Sequence, residues 1–368
     1  MIALNDLARH HAPLRAELES AMGRVHDRGW YILGPEVEAF EYEFARYLGV
    51  AECIAVGNGT DALELALRAL AVSSGETVAT VANAGMYATT AIRGVGAVPA
   101  YVEIDTATLQ MDPGALAAVA EERPRAIVAT HLYGRMADME ALGRIAREQR
   151  IPLIEDCAQA HGANRGARHA GTHGLLGCFS FYPTKNLGAL GDAGAVVTDD
   201  RQLALKLRAL RVYGWGAKYH CTMQGGMNSR MDELQAAVLR AKLPHLNRWN
   251  LRRREIAARY TKAIRHPYVV LPPSVDDGSD VAHLYVVRSR ARESLREHLK
   301  SAGIATDIHY PVPDHRQPGA GIVPSKGLAR TDRACAEVLS LPCYPELTDA
   351  EVDAVAAACN RWQPATRS

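Results

Sequence analysis

The chain has no long apolar run. Nowhere in its 368 residues does a stretch approach a membrane span, and the N-terminus, MIALNDLARHHAPLRAELES, is charged and amphipathic, without the apolar centre of a signal peptide. It also has almost no net charge. Its 42 basic and 41 acidic side chains are interspersed and leave +1, which offers no surface for nucleic acid or for an anionic membrane. Seven cysteines stand singly at 53, 157, 178, 221, 335, 343 and 359, with no Cys-x-x-Cys pair. This spacing predicts free thiols in a reducing compartment, without a disulfide framework or a zinc ribbon. Fourteen histidines are scattered, and no His-x-x-x-His with acidic company accompanies His10, His11, His309 or His315, so no metal is expected. Internal repeats and low-complexity tracts are absent too. The expectation is a cytoplasmic protein of ordinary globular composition, 48% apolar and 23% charged, long enough for a large core and a second, smaller domain.

What is present is an alternation. Residues 12–29 and 35–48 read as helices, the second opened by Gly34-Pro35 and closed at Gly49, with the apolar knot Trp30-Tyr31-Ile32-Leu33 between them. From Glu52, β-rich runs (Cys53–Val56, Thr77–Val81, Val98–Ile104, Ala126–His131, Leu153–Asp156) alternate with helical stretches of about ten residues. That is the pattern of a mainly parallel sheet flanked by helices, whose ligands sit at the carboxyl ends of the strands, where Gly57, His131 and Asp156 fall. Further strands are expected at Gly177–Tyr182 and Gly194–Thr198, then a basic helix 200–213, a glycine-rich loop, and a long helix from Met231 towards Tyr260 interrupted at Pro244. Beyond 250 the texture changes to a strand His283–Arg288, a helix 291–302, a strand Thr306–His309, a proline-rich loop to 327 and helices to the end. The expected division is a large domain over 1–250, including the N-terminal helices, and a small α+β domain over 251–368.

Three segments carry chemistry. Lys185 is the single lysine in the run Cys178–Asp192, delivered by an apolar strand and Pro183 into a loop containing Gly188, Ala189 and Gly191. A lysine enclosed by apolar and glycyl backbone is desolvated, has a depressed pKa and can act as an amine nucleophile; taken alone, it could also be a loop lysine snorkelling to solvent. Gly57-Asn58-Gly59-Thr60-Asp61-Ala62 follows a strand and opens a helix, which makes an anion site of free amides, or else an ordinary glycine turn. It is formally the dinucleotide fingerprint, but the next strand ends Val81-Ala82-Asn83, without the acid that would hold a ribose. Asp156 ends an apolar strand and needs a cationic or hydrogen-bonding partner to stay ionised, unless it caps the following turn. A phosphate site, a strand-end aspartate and a desolvated lysine are the three handles of pyridoxal phosphate: phosphate, ring nitrogen and aldehyde.

At these residues the chain also resembles a family. Gly57–Leu63, Glu155–Gly162, Phe179-Ser180-Phe181-Tyr182-Pro183-Thr184-Lys185-Asn186 and Asn228–Gln235 are similar to segments of the DegT-type nucleotide-sugar aminotransferases, and the likeness runs from Leu4 to Pro345. The resemblance implies a fold type I α/β architecture, a mainly parallel sheet with flanking helices plus a small α+β C-terminal domain. It implies that Lys185 carries pyridoxal 5′-phosphate as a Schiff base and then shuttles the proton. Asp156 would pair with the ring nitrogen, and Gly59, Thr60 and Ser180, with Asp61 beside them, would bind the phosphate. Gln159 would lie near the phenolic oxygen. Met86 occupies the slot where the family stacks an aromatic ring, with Tyr87 as the other candidate. Asn228 would reach the neighbouring subunit's phosphate, implying a homodimer with shared sites.

Lys218, Tyr219 and His220, in a loop resembling that of members acting on 3-keto sugars, would contact the substrate, as would Arg230. His309, Tyr310 and His315 would come from the small domain. The same loop could instead only close a dimer interface, and the histidines could be structural. The implied activity is transfer of an amino group, from glutamate, to a keto group of a dTDP-linked 6-deoxyhexose, with C3 favoured over C4. Other readings are an aminotransferase acting on a keto-cyclitol and a non-catalytic pyridoxal phosphate-binding sensor of the same fold. A dehydratase of this fold would carry histidine in place of Lys185.

Overall fold

The computed structural model describes residues 1–274, 277–320 and 327–364. Its centre is a seven-stranded sheet of β1 (Glu52–Val56), β2 (Thr77–Val81), β3 (Val98–Val102), β4 (Ala126–Thr130), β5 (Leu153–Asp156), β6 (Leu176–Ser180) and β7 (Gly194–Thr198), in the order β1-β7-β6-β5-β4-β2-β3. The pairs β2–β3, β2–β4, β4–β5 and β5–β6 are parallel, and β7 runs against both of its neighbours.

Both faces of this sheet are covered, and the strands show why. In β1, Ile54 and Val56 belong to one apolar cluster while Cys53 and Ala55 belong to the other; in β4, Ala126 and Val128 face one way and Ile127 and Ala129 the other. Because strand side chains alternate, apolar residues at both parities require helices on both sides. One face receives the helices Gly59–Ala69, Tyr87–Gly94 and Arg201–Leu210, and the other receives Pro35–Leu48, Pro113–Ala120 and Met139–Gln149. The observed architecture is the mainly parallel sheet flanked by helices that the alternation predicts.

A second cluster lies beyond the sheet. The strands β8 (Tyr285–Arg288) and β9 (Val338–Leu341) pair antiparallel, and helices Arg292–Ser301 and Asp349–Arg361 pack with them around Leu295, Leu299, Val352, Val355 and Trp362. Here the sequence reading needs correction. Residues 306–309 form only an isolated bridge, Asp307 to Ser340, and β9 stands where helices were expected. The run Val-Leu-Ser-Leu is apolar at both parities, so it fits a buried strand as well as a helix turn, and pairing with β8 decides between them.

Pro244 does break the long helix, into Glu233–Lys242 and Leu246–Ala263. The latter contributes Leu246 to the main core and Ile256 and Tyr260 to the C-terminal cluster, and we propose that the division between two units falls inside it. The first residues go with the C-terminal cluster: Ile2 bridges Ile304, and Arg9 pairs with Glu351 at 3.0 Å.

The helix Pro35–Leu48 is capped from a distance. Glu233, fully buried, accepts hydrogen bonds from the N–H groups of Gly34 (2.9 Å), Glu36 (2.8 Å) and Val37 (2.8 Å). A Cβ at position 34 would lie 2.8 Å from the Glu233 carboxylate, so only glycine admits this approach. Glu233→Ala strands three donors in the interior and should cost about 2–4 kcal/mol of stability. Thermal denaturation checks this; a midpoint within 1 °C of wild type would mean that water replaces the carboxylate.

Candidate active site

The parallel pairing of β5 with β6 sets Asp156 opposite Cys178, so the loop that follows β6 leaves the sheet beside the Asp156 carboxylate. That loop is tight. Lys185 N–H donates to the Tyr182 carbonyl at 2.8 Å, Ala189 N–H to Phe181 at 2.8 Å, and a Cβ on Gly188 would sit 2.4 Å from the Pro183 oxygen. The buried Lys242 ammonium holds the Gly188 carbonyl from behind at 2.5 Å. The Lys185 side chain opens into a cavity of about 760 Å³ at the carboxyl ends of the strands.

Burial sets the protonation of the floor. So much protein surrounds the Lys185 amine that desolvation draws it down to about 8, with the Asp156 charge opposing the shift. Asp156 is pushed upward by its own burial. The Ala158 N–H at 3.1 Å, the Lys185 charge and the distant Thr130 hydroxyl at 3.4 Å oppose that shift, and among the described residues Asp156 forms no ion pair. The preceding acid behaves differently. Burial raises Glu155, but the bond from His131 Nε2 (2.8 Å) and the N–H groups of Gly174 (2.6 Å), Gly171 (2.9 Å) and His173 (2.6 Å) overcome it and hold the carboxyl below its usual range. His131 Nδ1 accepts from Ala137 N–H at 3.1 Å, which fixes the tautomer with the proton on Nε2. Although His131, Glu155 and Cys157 cluster closely, these lone pairs are already committed within the protein.

Opposite the lysine lies an anion cradle. Asn58 caps the helix Gly59–Ala69, its side chain accepting from Asp61 N–H at 2.8 Å and its carbonyl from Ala62 N–H at 3.1 Å. The Gly59 and Thr60 amides at the helix start then have no acceptor among the described residues, and with Ser180 they line the cavity. A Cβ on Gly59 would lie 2.5 Å from the Ser180 Cβ, so glycine is what lets the helix start meet β6.

Of the residues expected from sequence, Gly59, Thr60, Asp156, Gln159, Ser180, Lys185, His309 and Tyr310 line this one cavity. Gln159 accepts from Tyr133 N–H (2.6 Å) and donates to the Tyr310 hydroxyl (3.2 Å), while His309 Nδ1 meets Ser340 Oγ (2.8 Å). Tyr87, the other candidate for the ring face, lines it too, and the remaining expected residues do not. Asp61 turns its carboxylate to the Ser229 hydroxyl at 2.7 Å, away from the cradle. Met86 is left-handed (φ 71°), its N–H tied to Asp314 at 2.9 Å, and the turn it makes puts Tyr87 in the cavity wall instead. The Tyr87 ring stands edge-to-face with Tyr310, with centroids 6.0 Å apart. His315 Nε2 lies 3.2 Å from Asp332, outside the cavity. Lys218, Tyr219 and His220 sit on an exposed hairpin, Tyr219 edge-on to Trp215 at 5.2 Å and Lys218 Nζ 5.1 Å from the Tyr219 ring. Arg230 covers Tyr213 at 5.8 Å, and Asn228 is exposed beyond the cavity.

Residues not singled out as ligands also form the wall. Asn58 carried a readable signal, a capping side chain before a helix start. His283 and Arg253 carried none, because helix Leu246–Ala263 and the residues before β8 meet the floor only through tertiary packing. His283 Nδ1 bonds Asn186 at 2.9 Å, and burial keeps the ring well below its usual pKa.

The donor set fits pyridoxal phosphate. Two free amides and a hydroxyl suit a phosphate, the unpaired Asp156 suits a cationic ring nitrogen, and a desolvated amine suits an aldehyde. The DegT/DnrJ/EryC1/StrS aminotransferase family model matches residues 13–360. The chain is 43% identical over 360 residues to the dTDP-3-amino-3,4,6-trideoxy-alpha-D-glucose transaminase of Streptomyces venezuelae, covering 97% of this chain and 95% of the relative. It is also 43% identical over 362 residues to the dTDP-3-amino-3,6-dideoxy-alpha-D-galactopyranose transaminase of Aneurinibacillus thermoaerophilus, covering 98% and 99%. Among solved structures, S. venezuelae DesV in complex with a ketimine intermediate superposes with a TM-score of 0.94 at 43% identity, over 98% of each chain.

In cofactor-free protein, Lys185 should react with an amine-acylating reagent with a midpoint near pH 8, because below that pH it is an ammonium and above it a free amine. Asp156→Asn should move the midpoint lower still, since the carboxylate charge favours the ammonium. Mass spectrometry of the Lys185 peptide reads both; a midpoint near the ordinary lysine value of about 10.4 would mean that the amine is solvated.

Proposed function

Because the chain belongs to the DegT/DnrJ/EryC1/StrS aminotransferase family, whose members depend on pyridoxal phosphate, we propose that it transfers an amino group from glutamate to C3 of a dTDP-linked 3-keto-6-deoxyhexose. The observation that carries this reading is the meeting of Lys185, Asp156 and the Gly59–Thr60 amides in one cavity. The two relatives named above support the choice of C3 and of dTDP. Glutamate is our choice of donor by resemblance.

When bound, pyridoxal phosphate supplies an electrophilic carbon for amines and a ring that takes up electrons when the amino-bearing carbon loses its proton. The chain does the rest. The Gly59 and Thr60 amides and the Ser180 hydroxyl would hold the phosphate, and Asp156 would keep the proton on the ring nitrogen. Lys185 Nζ would serve first as the covalent anchor and, once displaced by the donor, as the base that takes the proton from the amino-bearing carbon and delivers it to the cofactor's side of the carbon–nitrogen bond. With its pKa near 8 the amine can both accept and release a proton close to neutrality. Gln159 and Tyr310, linked at 3.2 Å, and His309 would bound the space for the sugar.

We further propose a homodimer in which Asn228 and the hairpin carrying Lys218, Tyr219 and His220, with Arg230, complete the partner's site. All of them lie outside the cavity of their own chain, which is where trans-acting residues belong. The hairpin's ammonium and Arg230 would meet the diphosphate.

Incubation with glutamate and each of the 3-keto and 4-keto isomers, followed by NMR location of the amine, should give amination at C3; an amine at C4 alone overturns the regiochemistry. Lys185→Ala should lower turnover by at least about a thousandfold, the scale on which removing a proton-transfer group acts. For the ring face, Tyr87→Ala should loosen the cofactor by about tenfold and Met86→Ala by less than about threefold, because the tyrosine offers the aromatic face in the cavity. Cofactor retention on dialysis measures both, and the reverse order would return the stacking role to Met86.

A further inference from the structure

Besides Lys185, Arg253 is the one lysine or arginine among the described residues lining the cavity, and it is 4% exposed. Its Nη1 edge is committed. That nitrogen donates to the His283 carbonyl at 3.2 Å and to the Cys343 carbonyl, which fixes the plane of the guanidinium. The opposite edge is not. Nε is buried without a hydrogen-bond partner, and Nη2 makes no bond to any described residue. Nε and Nη2 together form the fork that grips a carboxylate with two parallel N–H bonds. No acid among the described residues fills it: Glu346, whose charge acts on Arg253, makes no ion pair with it and is held by His10 Nδ1 at 2.8 Å.

A buried guanidinium with one satisfied edge and one vacant edge is costly unless an anion completes it. The position says which anion. Arg253 lies one helical turn beyond Asn250, whose side chain bonds Asn186, the residue after Lys185, at 2.9 Å. Asn186 also bonds the ring of His283, whose carbonyl Arg253 holds. Arg253 therefore belongs to the reacting end of the cavity, around the amine. An amino acid carries its α-carboxylate on the carbon that reacts there, whereas a 3-keto sugar nucleotide carries its charge on the diphosphate at C1, separated from the keto carbon by C2.

We propose that Arg253 is the carboxylate subsite for the amino donor. This rests on the aminotransferase reading above and makes the donor an α-amino acid held by its α-carboxylate.

Single-turnover spectra of the holoenzyme separate the two halves of the reaction. Wild type should take the amino group from glutamate about 100-fold faster, in kcat/KM, than from the glutamate α-amide, which lacks the charge. Arg253→Met should lose about 100-fold with glutamate and treat acid and amide alike, while its reverse half-reaction with the dTDP-amino sugar, which has no carboxylate, should lose at least tenfold less. Arg253→Lys should recover part of the donor rate. Equal loss in both halves, a rise confined to the KM of the sugar nucleotide, or a wild type indifferent to the amide overturns the proposal. If Arg253→Met does not fold, the wild-type acid and amide pair decides alone. If wild type reacts with glutamate but with neither keto sugar, the substrate assignment falls and the Arg253 subsite stands.

Discussion

Two opposite charges set into one low-dielectric floor, Lys185 and Asp156, constrain everything around them. Desolvation pushes each toward neutrality, the amine down to about 8 and the carboxyl upward, and each opposes the other's shift. The contrast with Glu155 shows how the fold chooses which acid is free. The two are neighbours on β5 and therefore point to opposite faces. Glu155 receives four hydrogen bonds and is locked as a structural anion, while Asp156 receives one good bond and one long one and stays open to a cation from the cavity. Environment separates two chemically similar groups into a strut and a reagent.

Much of this was legible in sequence because it is local. A lone lysine among glycines, an asparagine before a helix start and an acid at the end of an apolar run each report their surroundings within a few residues. The mainly parallel sheet flanked by helices followed from the alternation of β-rich and helical runs, whereas the order of its strands is set by pairing between distant segments. What could not be read is whatever depends on side-chain direction or distant packing. The choice between Met86 and Tyr87 is a matter of one residue in register, settled by the left-handed backbone at Met86 and by Asp314, 228 residues away along the chain, which holds its amide. Asp61 lies in the right turn but faces Ser229. His315 belongs to the expected segment, yet Asp332 turns it from the cavity. β9 was unreadable as a strand because a four-residue apolar run has no period of its own. Arg253 sits in the basic stretch Arg252-Arg253-Arg254, where composition suggests a solvated face and only the packed helix distinguishes the buried member.

The distribution of the cavity wall along the chain bears on how the protein is made. Leu4 and Asn5, from the first residues, and Cys343, near the last, line the same cavity as Lys185. The N-terminal segment is fastened not to the sheet that follows it but to Ile304 and Glu351, some 300 residues later. During synthesis the sheet and its helices can form as a unit as the chain emerges, with Lys185, Asp156 and the helix start at Gly59 already in place, but the wall contributed by Leu4, Asn5 and Cys343 cannot. The pairings of Ile2 and Arg9 must wait until Ile304 and Glu351 have been made. A chain made only as far as the sheet can therefore gather its core without enclosing the cavity, and closure waits for the segments that carry Ile304 and Glu351.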